Sequence, residues 1–128
     1  MTVLEPAKPS VLCLARHDDS TIRNGIVPYL MSRGCDVAVT VDGLEALDAL
    51  EKKRYDVVLA DLELPDRDGL WLWYEAVRRE PGLEGRFILS GSDPRAYGLD
   101  GLVKERFLTK PLGTTEVWRE VLGIVGRV

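Results

Sequence analysis

The sequence predicts an α/β fold in which five parallel strands alternate with helices in the order (βα)5. Two patterns and the overall composition predict it. Short apolar runs rich in Val, Ile, Leu and Phe recur along the chain, as strands buried on both faces of a parallel sheet require. Between them lie segments with helical spacing of apolar residues, and neither an internal repeat nor a low-complexity stretch interrupts the alternation. A length of 128 residues with 45% hydrophobic and 30% charged side chains fits one packed core. A chain of that size removes roughly 68–70% of its unfolded surface from water.

Residues 1–9 are polar, contain Pro6 and Pro9 and lack the apolar centre of a secretory signal, so they read as a flexible tail ahead of a domain over 10–128. Val11–Ala15 is the first strand. A helix is expected from Ser20 to about Arg33, kinked where Pro28 removes the bond to the Asn24 carbonyl. Val37–Val41 is the second strand, and Leu44–Arg54 the second helix, with Leu44, Leu47 and Leu50 recurring on one face. The third pair is Val57–Ala60 and Gly69 to about Arg79. Phe87–Leu89 follows, and then a stretch within Pro94–Glu105 whose Pro94, Gly98 and Gly101 predict a short, distorted or partly looped fourth helix. Phe107–Thr109 is the last strand. The last helix is expected over Thr115 to about Val125, capped by Thr114 or Thr115, with Val117, Trp118, Val121, Leu122 and Val125 as its apolar stripe.

Composition excludes several functions. Seventeen Lys and Arg against 21 Asp and Glu give a net charge of −4, which disfavours direct binding of nucleic acid. Lys52-Lys53-Arg54 and Arg78-Arg79 sit where helices end, and cations there complement the helix dipole. No apolar run exceeds five residues, far short of the roughly 20 that a spanning helix needs, so no membrane segment is expected. Cys13 and Cys35 have neither metal-ligand spacing nor a disulfide framework, and read as buried free thiols in a reducing cytoplasm.

In an open parallel sheet, functional groups collect just beyond the carboxyl ends of the strands. His17, Asp18 and Asp19 follow the first run, Asp61 the third, Ser90 the fourth, and Lys110-Pro111 the fifth. Carboxylates, a hydroxyl and a lysine at four strand ends suit Mg²⁺ and a phosphoryl group: hard oxygens hold the metal, while hydroxyl and ammonium take the phosphoryl oxygens. Together these residues resemble the receiver domain of bacterial two-component response regulators, over about Ser10 to Val125. The segment Asp61-Leu62-Glu63-Leu64-Pro65-Asp66-Arg67-Asp68-Gly69 is similar to that family's phosphoacceptor loop, Lys110-Pro111 to its Lys-Pro with a cis peptide bond, and Ser90-Gly91 to its hydroxyl position and the small residue after it.

The resemblance implies a flavodoxin-like three-layer sandwich with strand order 2-1-3-4-5. It implies Asp61 as phosphoacceptor, and Mg²⁺ held by Asp18, Asp61 and the Glu63 backbone carbonyl, with His17 or Asp19 as further candidates. Lys110 would pair with the carboxylate and then with the phosphoryl group. Ser90 and Phe107 would form the switch, Phe107 lacking the hydroxyl of the tyrosine found in many relatives. The implied phosphodonor is a histidine kinase, a phosphotransfer protein or a small molecule, and the implied output a change of protein contacts, a homodimer among them.

His17 occupies the first acidic position of the family's pair and Arg16 the aliphatic position before it, so weak Mg²⁺ binding is expected. His17 reads as a solvated loop residue, a modified metal site or a pH-sensitive gate. Taking Asp18-Asp19 as the pair instead would restore two acids but conflicts with the start of the first helix at Ser20-Thr21-Ile22. Two other functions stay open: a pseudo-receiver working by phosphorylation-independent contacts, and a small flavodoxin-like enzyme. Along the third helix, Leu70, Leu72, Trp73 and Ala76 are expected to face the core. That leaves Trp71, Tyr74 and Val77 as an outer stripe for partner or dimer contact.

Overall fold

The computed structural model describes residues 8–98 and 104–126. Five parallel strands, β1 (Ser10–Leu14), β2 (Asp36–Thr40), β3 (Val57–Asp61), β4 (Phe87–Gly91) and β5 (Arg106–Thr109), form one sheet in the order β2-β1-β3-β4-β5. This is the order expected. Alternation along the central strands divides the core into two layers. Val11, Cys13, Val57, Leu59 and Ile88 meet Ile22, Ile26 and Leu30 of the first helical segment and Val117 and Val121 of the last helix. Leu12, Leu14, Val58, Ala60, Phe87 and Leu89 face Ala46, Leu47, Leu72 and Ala76 on the other side. Both cysteines are free and buried, and burial pushes the Cys13 thiol up to about 12, so it stays protonated and inert.

Pro28 shapes the first helical segment as its missing N–H requires. A π-helical turn over Thr21–Ile26 precedes α1 (Val27–Ser32), and Pro28 sits in the first turn of α1, where a missing donor costs least. Asp42 caps α2 (Gly43–Lys52) by accepting from the Glu45 N–H at 2.8 Å, while Glu45 returns an acceptor to Val41 N–H. Asp68 caps α3 (Gly69–Arg79) through bonds from Leu70 and Trp71 N–H. The start of α4 (Thr114–Val125) differs from the threonine cap expected: Gly113 is the cap, and the Glu116 side chain accepts from its N–H at 3.3 Å.

Three further expectations are corrected or bounded. The fourth helix reduces to a single 3-10 turn, Pro94–Tyr97, ended by Gly98 in the left-handed region at φ 62°, and its continuation over residues 99–103 lies outside the described residues. Residues 1–7 of the expected tail also lie outside them, but Pro9 is tied to the sheet, its carbonyl accepting from Asp36 N–H. The outer stripe on α3 is not continuous. Leu72 and Ala76 are buried as expected, and Tyr74 is 61% exposed, but Trp71 and Val77 are half-buried against the α2 and α3 core layer. Close approach of α2 explains this: Gly43 abuts Trp71, and the Arg67 guanidinium lies 5.7 Å from the Trp71 ring centre. Among the described residues no helix is long and apolar enough to cross a membrane.

The contact at Gly43 yields a test. A Cβ there would run into the Arg67 carbonyl oxygen and come within 2.8 Å of Trp71 Cε3, whereas one on Gly25 would meet nothing within 4 Å. Gly43→Ala is expected to lower stability by about 1–3 kcal/mol through overpacking, despite the higher helix propensity of alanine. Gly25→Ala is expected to raise it by roughly 0.5–1 kcal/mol. Urea unfolding midpoints at unchanged m-value distinguish the two.

Candidate functional site

Asp61 is the last residue of β3 and is 3% exposed, yet its carboxylate is fully engaged. Lys110 Nζ lies 3.0 Å from Oδ1 and 3.1 Å from Oδ2, and the Glu63 N–H donates to Oδ1 at 2.7 Å. Lys110 reaches across from the end of β5, two strands away, held by its own N–H on the Gly91 carbonyl. The Lys110-Pro111 peptide bond is cis. Ser90 pairs with Asp61 in the β3–β4 register and is buried.

Lys110 also contacts a second carboxylate, Glu63 Oε1, at 3.0 Å. Glu63 Oε2 accepts from the Ser92 N–H at 2.9 Å and from the Tyr97 hydroxyl at 3.1 Å. The hydrogen bonding from Ser92, followed by that from Lys110, holds the Glu63 carboxyl down at about 2, from an ordinary 4.5. Burial pulls Lys110 downward, but its bonds to Asp61 and Glu63 outweigh this and the net shift is upward. Tyr97 is pushed up by burial and by its bond to Glu63.

Asp61, Ser90 and Lys110 line one cleft of about 340 Å³, and the acid that joins them is Asp19. Asp18 does not. It pairs with Arg16 at 3.4 Å and lines a neighbouring, more open depression with Arg16 and His17. The two acids named from the sequence are thus separated, for a local reason. The Asp19 N–H bonds to the Arg16 carbonyl at 3.1 Å, closing a turn in which Arg16, His17 and Asp18 are exposed. Asp19 then accepts from the Ile22 N–H at 3.0 Å, so the helix start is preserved. Among the described residues no three His, Cys, Asp or Glu side chains converge as a ready metal cage. Two carboxylates in one cleft nonetheless fit Mg²⁺, which is commonly bound through one or two carboxylates while keeping several waters.

The family model for the response regulator receiver domain matches residues 14–121. The chain belongs to that family. It is 31% identical to the sensor kinase CckA of Brucella abortus over 84% of this chain and 12% of that protein. It is 30% identical to the transcriptional activator protein PfeR of Pseudomonas aeruginosa over 94% of this chain and 39% of that one. The chain thus spans well under half the length of these relatives. The crystal structure of the receiver domain of sensor histidine kinase PA1611 from Pseudomonas aeruginosa superposes with a TM-score of 0.78 at 24% identity. That match covers 94% of this chain and 99% of the other, which holds a magnesium ion in its active site cleft. Family membership sets the small-enzyme reading aside: receivers are signalling domains.

Two residues of this receiver escape a reading of the sequence. The Glu63 side chain is one, although a carboxylate two residues beyond Asp61 and level with a lysine is itself a signal. Tyr97 is the other. It lies in an irregular stretch, where its chain position says nothing of its reach to Glu63.

The depressed Glu63 gives a pH signature. Its contribution to stability is present above 4.5 and is lost as pH falls toward about 2. Glu63→Gln is therefore expected to be less stable than the parent at pH 7, with the difference shrinking below about pH 4.5 and vanishing only as pH falls to about 2. Thermal unfolding across that range checks it, and parallel curves would contradict it.

Proposed function

We propose that this receiver accepts a phosphoryl group on Asp61 from the phosphohistidine of a histidine kinase or phosphotransfer protein, or from a small phosphodonor, and signals by altered protein contacts. The observation that carries this is the shielded Asp61 carboxylate paired with Lys110 at the carboxyl end of the sheet, with the Ser90 hydroxyl in the same cleft. Asp61 supplies the attacking oxygen. Lys110 already balances its charge and is placed to follow it onto the phosphoryl oxygens, while Ser90 offers them a donor. Asp19 and Asp61 would hold Mg²⁺, which supplies charge neutralisation on the transferring group when bound. The magnesium in the cleft of the PA1611 receiver supports the same choice of metal.

Ser90 and Phe107 form the proposed switch. Ser90 moves toward the new acyl phosphate and draws its loop with it, and half-buried Phe107 on the edge strand β5 repacks in response. The loop that follows Ser90 carries Ser92 and Tyr97, both bonded to Glu63, so withdrawal of Lys110 toward a phosphoryl group changes the partners of that carboxylate too. A kinase partner goes with a cytoplasmic location. A pseudo-receiver is the second reading, favoured by the outward turn of Arg16, His17 and Asp18.

Incubation with Mg²⁺ and phosphoramidate followed by intact mass measurement is expected to add one phosphoryl group, and Asp61→Asn to abolish the gain. Asp19→Asn is expected to weaken the Mg²⁺ dependence of labelling by tenfold or so, in the range of losing one metal-site partner. Asp18→Asn and His17→Asp should leave it near that of the parent. An unlabelled parent protein would favour the pseudo-receiver.

A further inference from the structure

The cleft beside Asp61 is not a polar pocket throughout. It is lined as well by the apolar residues Leu14, Ala15, Ile22, Leu59, Pro111 and Leu112, referred to below as its apolar wall. Ala15, Ile22 and Leu59 belong to the core layer under the first helical segment and α4, and Leu14 to the opposite layer, so this lining rests on the sheet edge and on the first helical turn, with exposed Pro111 and half-buried Leu112 as its accessible part. Phosphoryl transfer to Asp61 uses the charged end, Asp19, Ser90 and Lys110, and leaves the apolar wall unused. With about 340 Å³ the cleft has room for more than a phosphoryl group and its water.

We propose that this apolar wall is a subsite for the leaving group of a small phosphodonor, and that the receiver prefers acyl phosphates whose acyl group has three or four carbons over acetyl phosphate. The proposal rests on Asp61 as phosphoacceptor and names the class of small donor suited to that site. The step balances without further reactants. An Asp61 carboxylate oxygen bonds to phosphorus, the bond from phosphorus to the acyl oxygen breaks, and its electron pair leaves with the carboxylate. Simple aliphatic carboxylates differ little in basicity, so lengthening the tail changes contact with the wall and leaves the intrinsic reactivity nearly constant. Only binding then separates these donors. Each methylene removed from water contributes enough to raise the efficiency of transfer roughly three- to fourfold. A phosphohistidine donor presents an imidazole leaving group on a protein and does not draw on this selectivity.

The test compares initial labelling rates per unit donor for acetyl, propionyl and butyryl phosphate, with phosphoramidate as a donor that has no tail, all with Mg²⁺ and read by intact mass. The expected result is a rise of about threefold per added methylene. Thr21→Trp, at an exposed position on the rim of the cleft, is expected to flatten that rise, as is Leu112→Asn, which makes part of the wall polar. Equal or falling efficiency from acetyl to butyryl phosphate, with phosphoramidate still active, would overturn the proposal. Binding of methyl-, propyl- and butylphosphonate in the presence of Mg²⁺, followed by NMR shifts of residues lining the cleft, needs no transfer. If no donor labels Asp61 but affinity rises with phosphonate length, the phosphoacceptor reading falls and the subsite stands. If affinity is flat, the subsite falls.

Discussion

A carboxylate almost wholly shielded from water must be paired, and the pairing of Asp61 with Lys110 is the constraint around which the carboxyl edge of this sheet is arranged. The two residues stand at the ends of β3 and β5, with β4 between them. For an ammonium to cross that distance the intervening strand must end in small residues, and it ends in Ser90 and Gly91. Gly91 does more than leave space. Its carbonyl holds the Lys110 N–H, and a Cβ on it would stand 3.1 Å from Tyr97 Cε2. A larger residue would push Tyr97 off its hydrogen bond with Glu63. Parallel registry of β3, β4 and β5 is therefore a requirement of the charge pair as well as of the core.

Glu63 turns that pair into a three-centre arrangement. Lys110 is shared between Asp61 and Glu63 at nearly equal distances, so the unmodified site carries two acids on one cation. Ser92 and Tyr97 supply the donors that make this tolerable for Glu63. Added negative charge on Asp61 competes for the shared cation and leaves Glu63 more dependent on those two donors. Both belong to the β4 loop and its short 3-10 turn, so a charge change at Asp61 can reach that loop through the shared lysine and these hydrogen bonds. The hydroxyl that Phe107 lacks is present in this receiver on a different element.

The fold was legible because local signals and burial agree. Val57 to Ala60 can be nothing but a strand buried on both faces, and the acids capping α2 and α3 stand where the chain leaves a strand for a helix. Asp61, Ser90 and Lys110 were legible because strand ends are the one place such a sheet exposes chemistry. Contacts between elements distant in sequence were not. The burial of Trp71 depends on how closely α2 packs at Gly43, and the reach of Tyr97 on how the chain folds back after Gly91; periodicity along one segment encodes neither.

The alignment of the first loop shows the same limit in one place. Two anchors compete there: Ala15 must stay in the sheet, where its N–H bonds to the Thr40 carbonyl, and Ile22 must begin the helix packed on that sheet. Counting back from the helix selects Asp18 as the acid beside Asp61, but counting assumes that the intervening backbone is extended. It is instead closed by the bond from Asp19 N–H to the Arg16 carbonyl, which takes up the slack without moving either anchor. The side chains displaced by that turn, Arg16, His17 and Asp18, are the ones best able to bear exposure, and the Arg16–Asp18 pair is a surface contact contributing little energy. Asp19 stays because it also serves the helix, its carboxylate satisfying the Ile22 N–H at the start of the helical turn. A residue that both caps a helix and lines the cleft of Asp61 is constrained twice, so the loss of Asp19 would disturb the helix start as well as the cleft.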